Sequence, residues 1–254
     1  MPVYGFVGAG ALTAAIVEGL STEVAEPPAV LLSPRNRAVG LDLAGRFPNV
    51  EVCGSNQEVL DRAPVVVLAV RPQVGEEVLR DLVFRPEHVV VSALAGVTLA
   101  RLREWIAPAT EVVRTIPLPA AARRQSLTAL YPDHPVAREL LERVGGVVVP
   151  DAETTLEAFS ASTATFAAHL DYLTTVANWL AAQGVKQEDA DAYIAHIFGQ
   201  LGQSVSRATS LTALTEEHMT PGGLNEQVLG DLRRDGVPDL VRRALDRVLA
   251  RLRG

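Results

Sequence analysis

Two glycines one residue apart, Gly8 and Gly10, stand between the apolar run Val3-Tyr4-Gly5-Phe6-Val7 and the alanine-rich stretch Ala11-Leu12-Thr13-Ala14-Ala15-Ile16. A turn without side chains lets backbone approach a pyrophosphate. A helix opening directly after it aims unpaired N–H groups and the positive end of its dipole at the phosphate. Thr13 holds the third position of the G-x-G-x-x-G/A pattern, where a small residue is needed for helix–strand packing. A tight turn with no ligand also satisfies the pattern. Its place at the head of a chain that goes on alternating strand and helix gives it weight.

The next loops extend the same chemistry. Ser33-Pro34-Arg35-Asn36 follows a second apolar run. A dinucleotide site that takes NAD has an acidic residue here for the ribose hydroxyl, and none is present. Ser33, Arg35 and Asn36 could instead hold a 2′-phosphate, with charge-assisted bonds from Arg35, so the expected cofactor is NADP. The bland alternative is a solvated loop arginine. Ala69-Val70-Arg71-Pro72-Gln73 and Ser92-Ala93-Leu94-Ala95-Gly96 end two further runs. Open parallel sheets bind ligands beyond their strand C-termini, so these loops should face the cofactor.

Those loops need a scaffold. Strands are expected over Val3–Val7, Val30–Ser33, Val65–Val70, His88–Ser92, Glu111–Arg114 and Thr128–Tyr131. Helices are expected over Ala11–Leu20, Arg37–Arg46, Gly75–Leu82 and Leu99–Ile106, and Pro135–Val149 forms a closing βα unit. The alternation implies a parallel sheet with right-handed crossovers. After Pro150 no strand-like run remains. Glu153–Gln183, Gln187–Thr209 and Gly223–Arg253 read as helices. The fold class is therefore α/β, with a parallel-sheet domain over 1–150 followed by an all-helical domain over 151–254. The apolar stretches Thr174–Ala182 and Leu240–Leu252 exceed what so few helices bury among themselves, which predicts a two-fold homodimer.

Composition closes off other classes. The net charge of −7 argues against a nucleic-acid binder that works by neutralising phosphates. The single cysteine, Cys53, excludes an internal disulfide and a cysteine-based metal cluster, and fits a reducing, cytoplasmic setting. No apolar run reaches the roughly 20 residues that span a bilayer, and no signal peptide is expected. The five histidines His88, His134, His169, His196 and His218 show no metal-ligand spacing, so no metal is assigned. His218 lies beside Thr220-Pro221-Gly222-Gly223, where it is either structural or in touch with substrate. Ser162 and Thr163 could cap a helix or bind substrate. Arg123 and Arg124 are solvated or stand in for a carboxylate contact. Tyr172 and Trp179, seven positions apart, are expected in the core. Lys186, the only lysine, sits in a polar helix connection and is read as a surface residue.

Together these pieces resemble the pyrroline-5-carboxylate reductase family. The resemblance covers nearly the whole chain. It rests on Phe6-Val7-Gly8-Ala9-Gly10, Ser33-Pro34-Arg35-Asn36, Leu68-Ala69-Val70-Arg71-Pro72-Gln73, Ser92-Ala93-Leu94-Ala95-Gly96, Arg114-Thr115-Ile116-Pro117 and Met219-Thr220-Pro221-Gly222-Gly223. It implies an NADPH-binding Rossmann domain, a helical dimerisation domain, and reduction of a cyclic imine at a site shared between two subunits. It places the cofactor against Gly8, Ala9, Gly10, Ala11, Leu12, Ser33, Arg35, Asn36, Ala69, Val70, Arg71, Pro72, Ala95 and Gly96. It places the substrate against Ser162, Thr163, Thr220, Gly222, Gly223, Leu224 and Asn225. It assigns no catalytic acid.

The departures fall mostly in the substrate half. Ala11-Leu12-Thr13 stands where the family commonly has Asn-Met-Ala, and Arg71 where it has lysine. Leu118-Pro119 replaces its Asn-Thr pair, and Ala161-Ser162-Thr163-Ala164-Thr165 replaces its Gly-Ser-Gly-Pro-Ala. Leu224-Asn225 replaces two hydroxyls that in the family help bind the substrate carboxylate. The helix N-terminus after Gly222-Gly223 remains available to an anion. The expected activity is NADPH-dependent reduction of a cyclic imine, either pyrroline-5-carboxylate or a related imino acid, with pyrroline-5-carboxylate itself a poor substrate. Reduction of another carbonyl or imine, or a non-catalytic NADPH-binding sensor, are the alternatives.

Overall fold

The computed structural model describes residues 2–253. The chain divides into two compact units, one ending at Ser160 and one beginning at Ala161.

The first unit is built on eight strands: β1 (Val3–Val7), β2 (Ala29–Leu32), β3 (Val50–Val52), β4 (Val65–Leu68), β5 (Val89–Ser92), β6 (Glu111–Ile116), β7 (Ser126–Tyr131) and β8 (Gly145–Val148). They lie in the order β3-β2-β1-β4-β5-β6-β7-β8. Pairing is parallel from β3 through β6. The sheet is not wholly parallel as expected, because β7 runs antiparallel to β6. Only one 3-10 turn, Pro119–Arg123, separates them. A parallel return needs a crossover of a dozen or more residues, and this connection is too short.

Both faces of the sheet are covered. Tyr4, Phe6, Leu32, Val65, Val67 and Val91 pack on one side against α1 (Ala11–Ser21), α2 (Arg37–Arg46) and α6 (Pro135–Glu142). Val7, Leu31, Val66, Leu68 and Val90 pack on the other against α3 (Asn56–Arg62), α4 (Pro72–Arg80) and α5 (Leu99–Trp105). Alternate residues of one strand thus serve opposite cores, which is why Val65-Val66-Val67-Leu68 is apolar without a break. Full burial of each such side chain contributes about 1.5–3 kcal/mol.

A seventh helix, α7 (Glu153–Thr163), carries the chain across the division between the units. The expected helix over Glu153–Gln183 is therefore two helices, broken at Ala164 before α8 (Thr165–Ala182). In the second unit α8 and α9 (Gln187–Arg207) form a hairpin around Gly184. Then follow α10 (Leu211–Glu217), which had not been expected, α11 (Leu224–Arg234) and α12 (Val237–Arg253). Ala177, Ala190 and Ile194 are buried, and none of the described residues of α10, α11 or α12 is. Tyr172 and Trp179 do not lie in a core of this chain: Trp179 is 64% and Tyr172 43% exposed, Tyr172 meeting the edge of Phe198 and the ring of His169. Among the described residues no helix is long and apolar enough to cross a membrane.

Candidate functional site

Strand β1 sits between β2 and β4. The chain leaves it towards β2 on one side and later builds β4 on the other. That reversal opens a crevice at the strand C-termini, the place where doubly wound sheets take ligands.

Gly8 closes the crevice's floor. Its φ is +107°, and a Cβ there would lie 2.5 Å from the carbonyl oxygen of Ala69 and 2.6 Å from its carbon. No side chain fits, because the ends of β1 and β4 touch at this point. Both polar groups of Gly8 are engaged: its N–H donates to Ser33 Oγ at 2.8 Å, and its carbonyl accepts from Thr13 Oγ1 at 2.6 Å. Thr13 is fully buried, so the third position of the glycine pattern packs and locks the turn at once.

Gly10 differs. It is the N-cap of α1, with φ −94° and ψ −172°, a conformation open to any residue. A Cβ there would meet nothing within 4 Å, and no side chain among the described residues caps the helix. Protein packing therefore does not require glycine at this position, whereas close approach of a ligand to the helix end does. Beside it, Ala11 is exposed, while Ala9 is buried and Leu12 packs against the core.

The other cofactor candidates gather at neighbouring strand ends. Ala69 and Val70 follow β4, with Ala69 N–H donating to Val7 O at 2.9 Å. Arg71 is the exposed N-cap of α4, and Pro72 takes the first helical position. Ala95 and Gly96 follow β5, Ala95 exposed. After β2, Arg35 and Asn36 are exposed, but Ser33 is only 1% exposed and its oxygen already serves Gly8. Ser33 thus positions the turn, accepting from Gly8 with its oxygen while its own O–H remains a donor. Sequence reading missed Arg37, which opens α2, is exposed and lies two positions beyond Arg35. Neither arginine, nor Arg71, has an ion-pair partner among the described residues.

A largely buried ion cluster lies on another strand of the sheet. On β6, Arg114 pairs with Glu153 at 2.8 Å and Glu157 at 2.6 Å, and Glu153 also accepts the Leu99 N–H at 2.7 Å. Burial, with the Glu58 carboxylate nearby, pushes the Cys53 thiol up, so it is no ready nucleophile. No cluster of metal-ligating side chains exists among the described residues.

Arg124 does not reach towards the glycine turn. It donates to Thr22 O, past the far end of α1, about 16 Å of helix away from Gly10. Ser162 and Thr163 end α7 rather than begin a helix, and the N-cap of α8 is Ala164. Lys186 is exposed at the N-cap of α9.

The second unit presents the Thr220–Asn225 turn by itself. Gly223 is the N-cap of α11, and its N–H donates to Thr220 O at 2.8 Å. Glu226 folds back, and its carboxylate accepts the Gly222 N–H at 2.6 Å. Asn225 Nδ2 donates to His218 O at 3.1 Å, and His218 Nδ1 lies 2.9 Å from Leu214 O. Leu224 is 81% exposed. The acid three residues after the N-cap was the signal in the sequence that could have revealed this contact.

Comparison with known proteins follows the same division. A family model described as "NADP oxidoreductase coenzyme F420-dependent" matches residues 3–96, and one described as "Pyrroline-5-carboxylate reductase dimerisation" matches residues 153–254. The pyrroline-5-carboxylate reductase of Pseudomonas aeruginosa is 27% identical, over 96% of this chain and 93% of its own. The chain is similar to the pyrroline-5-carboxylate reductases over nearly its whole length.

Members of this family are pyridine-nucleotide-dependent reductases. The pyrroline-5-carboxylate reductase of Streptococcus pyogenes has the same fold, with a TM-score of 0.82, 22% identity, and 99% of this chain and 98% of its own covered. A pyrroline carboxylate reductase of Plasmodium falciparum, solved with NADP bound, aligns with a TM-score of 0.78 at 14% identity, covering 99% of this chain and 97% of its own. The matched dimerisation model supports a homo-oligomer.

Proposed function

We propose that this protein reduces a cyclic imine with NADPH. The observation that carries the reading is the pair of glycines. Gly8 is required by the fold, whereas Gly10 is required by nothing in the fold and opens the N-terminus of α1. That end would hold the pyrophosphate on N–H groups of the first turn. Arg35 and Arg37, exposed and without ion-pair partners, would hold a 2′-phosphate, which favours NADPH over NADH. The Plasmodium protein of the same fold carries NADP, in line with this choice.

When bound, the nicotinamide supplies the hydride. The chain's part is to hold and orient. Ser33 and Thr13 fix Gly8, and Ala69 to Pro72 and Ala95 to Gly96 bound the crevice on its other side. An iminium carbon is already electrophilic, so the reaction asks little of an acid. We assign no catalytic acid. The turn Thr220–Asn225, together with Ser162 and Thr163, would meet the substrate. Two copies would pair through their helical units, with the turn of one serving the cofactor of the other. The relatives named above are all reductases, which gives a non-catalytic sensor no support.

The test is a screen of NADPH oxidation over five- and six-membered cyclic imines, with NADH in parallel. Turnover of at least one imine, with NADPH favoured, is expected. Failure with every imine ends the proposal, and a preference for NADH ends the cofactor assignment. Light scattering at micromolar concentration should give a dimer or a multiple of it, and a monomer would refute the pairing.

A further inference from the structure

The turn after β5 is held at both ends. Gly96 has φ +74°, and the Val97 N–H reaches Leu94 O at 3.4 Å, so Leu94 to Val97 form a tight turn with glycine where a positive φ is needed and Ala95 exposed at its tip. At the entry, Ser92 Oγ accepts the Leu94 N–H at 3.3 Å, and Ser92 O accepts from Thr115 Oγ1 at 3.2 Å. At the exit, the first N–H of α5, that of Leu99, donates to Glu153 Oε1 at 2.7 Å. The hydroxyl of the N-cap, Thr98, accepts the Arg101 N–H. Arg114 stands opposite Ser92 in the sheet, next to Thr115 on β6. Its Nη1 donates to the same Glu153 Oε1 at 2.8 Å, and its Nη2 lies 2.6 Å from Glu157, one turn further along α7. Arg114 and Glu157 are buried, so this pair is fixed in place, and Glu153 is fixed on it.

We propose that Glu153 is a positioning residue of the cofactor site, holding the Ala95–Gly96 turn in the conformation that receives the nicotinamide half of a dinucleotide. The inference rests on the dinucleotide reading of the crevice. With the pyrophosphate on α1 and the 2′-phosphate on the β2 side, the nicotinamide half extends to the other side of β1, over β4 and β5. The fold itself does not depend on Glu153. Without it Arg114 keeps Glu157 as counter-ion, and the Leu99 N–H, a first-turn donor with no intrahelical acceptor, is left to water in the space of a partly exposed side chain. What is lost is the anchor on the last peptides of the turn.

The experiment is a fluorescence titration of NADPH into the wild type, Glu153→Ala and Glu153→Gln, read as two quantities: the dissociation constant and the fraction of chains that bind. A turn released by Glu153→Ala should hold its receiving conformation about a third to a tenth of the time, which raises the apparent constant by about threefold to tenfold and leaves the bound fraction unchanged. Both contacts of Glu153 fall on one oxygen, and an amide oxygen accepts in the same place, so Glu153→Gln should return the constant to within about twofold of the wild type. A role confined to packing gives the opposite split, with fewer binding chains at the wild-type constant. An unchanged constant in Glu153→Ala, or binding by Glu153→Gln as weak as by Glu153→Ala, overturns the proposal. A wild type that does not bind NADPH removes the dinucleotide reading and the inference with it. Hydrogen exchange on the wild type needs no variant: residues 94–99 should gain protection when NADPH is added, and no gain overturns the proposal.

Discussion

Gly10→Ala separates what the fold needs from what the ligand needs. At φ −94° and ψ −172° alanine is unstrained, and beyond its chain neighbours its methyl group would meet nothing within 4 Å. Loss of glycine's freedom in the unfolded chain stabilises by about 0.4–1 kcal/mol. Alanine is a poorer N-cap than glycine by about half a kcal/mol. The two nearly cancel, so apo stability should move by no more than about 0.5 kcal/mol in either direction. Cofactor affinity should behave differently. A methyl group standing off the open end of α1 occupies the space through which a pyrophosphate reaches the helix N–H groups, and NADPH should bind at least tenfold more weakly, about 1.4 kcal/mol. Gly8→Ala is the converse, because its methyl lands 2.5 Å from a backbone oxygen at φ +107°. Strain of about 1–2 kcal/mol for the positive φ, plus displacement of the Ala69 backbone, should destabilise the apo protein by roughly 3 kcal/mol. Denaturant unfolding without ligand and NADPH titration by fluorescence give the two readouts. Unchanged NADPH affinity in Gly10→Ala, at unchanged stability, would refute the placement of the pyrophosphate.

Three further outcomes follow from other residues. Arg35→Asp should weaken NADPH by about ten- to a hundredfold, the worth of one charge-assisted contact, and NADH far less; equal losses in parallel titrations would show that no 2′-phosphate meets this loop. Arg114→Met leaves the buried Glu157 uncompensated and should cost about 3–5 kcal/mol in denaturant unfolding, most of it recovered in the double variant with Glu157→Gln. Burial holds His88 below the usual histidine range, with its rings of partners complete: Nδ1 accepts from Arg85 N–H, so Nε2–H donates to Leu60 O. The unfolded chain then binds a proton near pH 6.5 that the folded chain takes up only at lower pH, so stability should fall as pH drops from about 6.5, by up to about 1.4 kcal/mol per unit. His88→Gln should flatten that slope, and an equal slope in both proteins would count against a neutral buried His88.

What the sequence disclosed depended on how local the cause was. Strand β1, helix α2 and the loops after β2, β4 and β5 were legible because runs such as Val65–Leu68, and the glycines and arginine after them, act over a few neighbouring positions. Strand β3 was missed since Val50-Glu51-Val52 is too short to show a period, and α3 since seven residues capped by Ser55 look like a loop. The reversal of β7 is set by loop length against the register of β6, which no single residue announces. The turn-fixing contact of Ser33 was not legible, because its partner, the Gly8 N–H, lies twenty-five positions away. Trp179 was read as core because apolar spacing reports that a face will be covered, and is silent on which chain covers it.

That silence has a thermodynamic meaning. Helices α8 to α12 shield only Ala177, Ala190 and Ile194 from water on their own. In the proposed dimer, folding of this half is therefore a bimolecular event, and its free energy contains the protein concentration as a variable. Each tenfold dilution withdraws about 1.4 kcal/mol, so a thousandfold dilution from storage to assay removes about 4 kcal/mol from the helical half. The sheet half, with its own two cores, does not respond. Activity measured against enzyme concentration should then curve upwards at the dilute end, as mass action rather than chemistry sets the number of working sites.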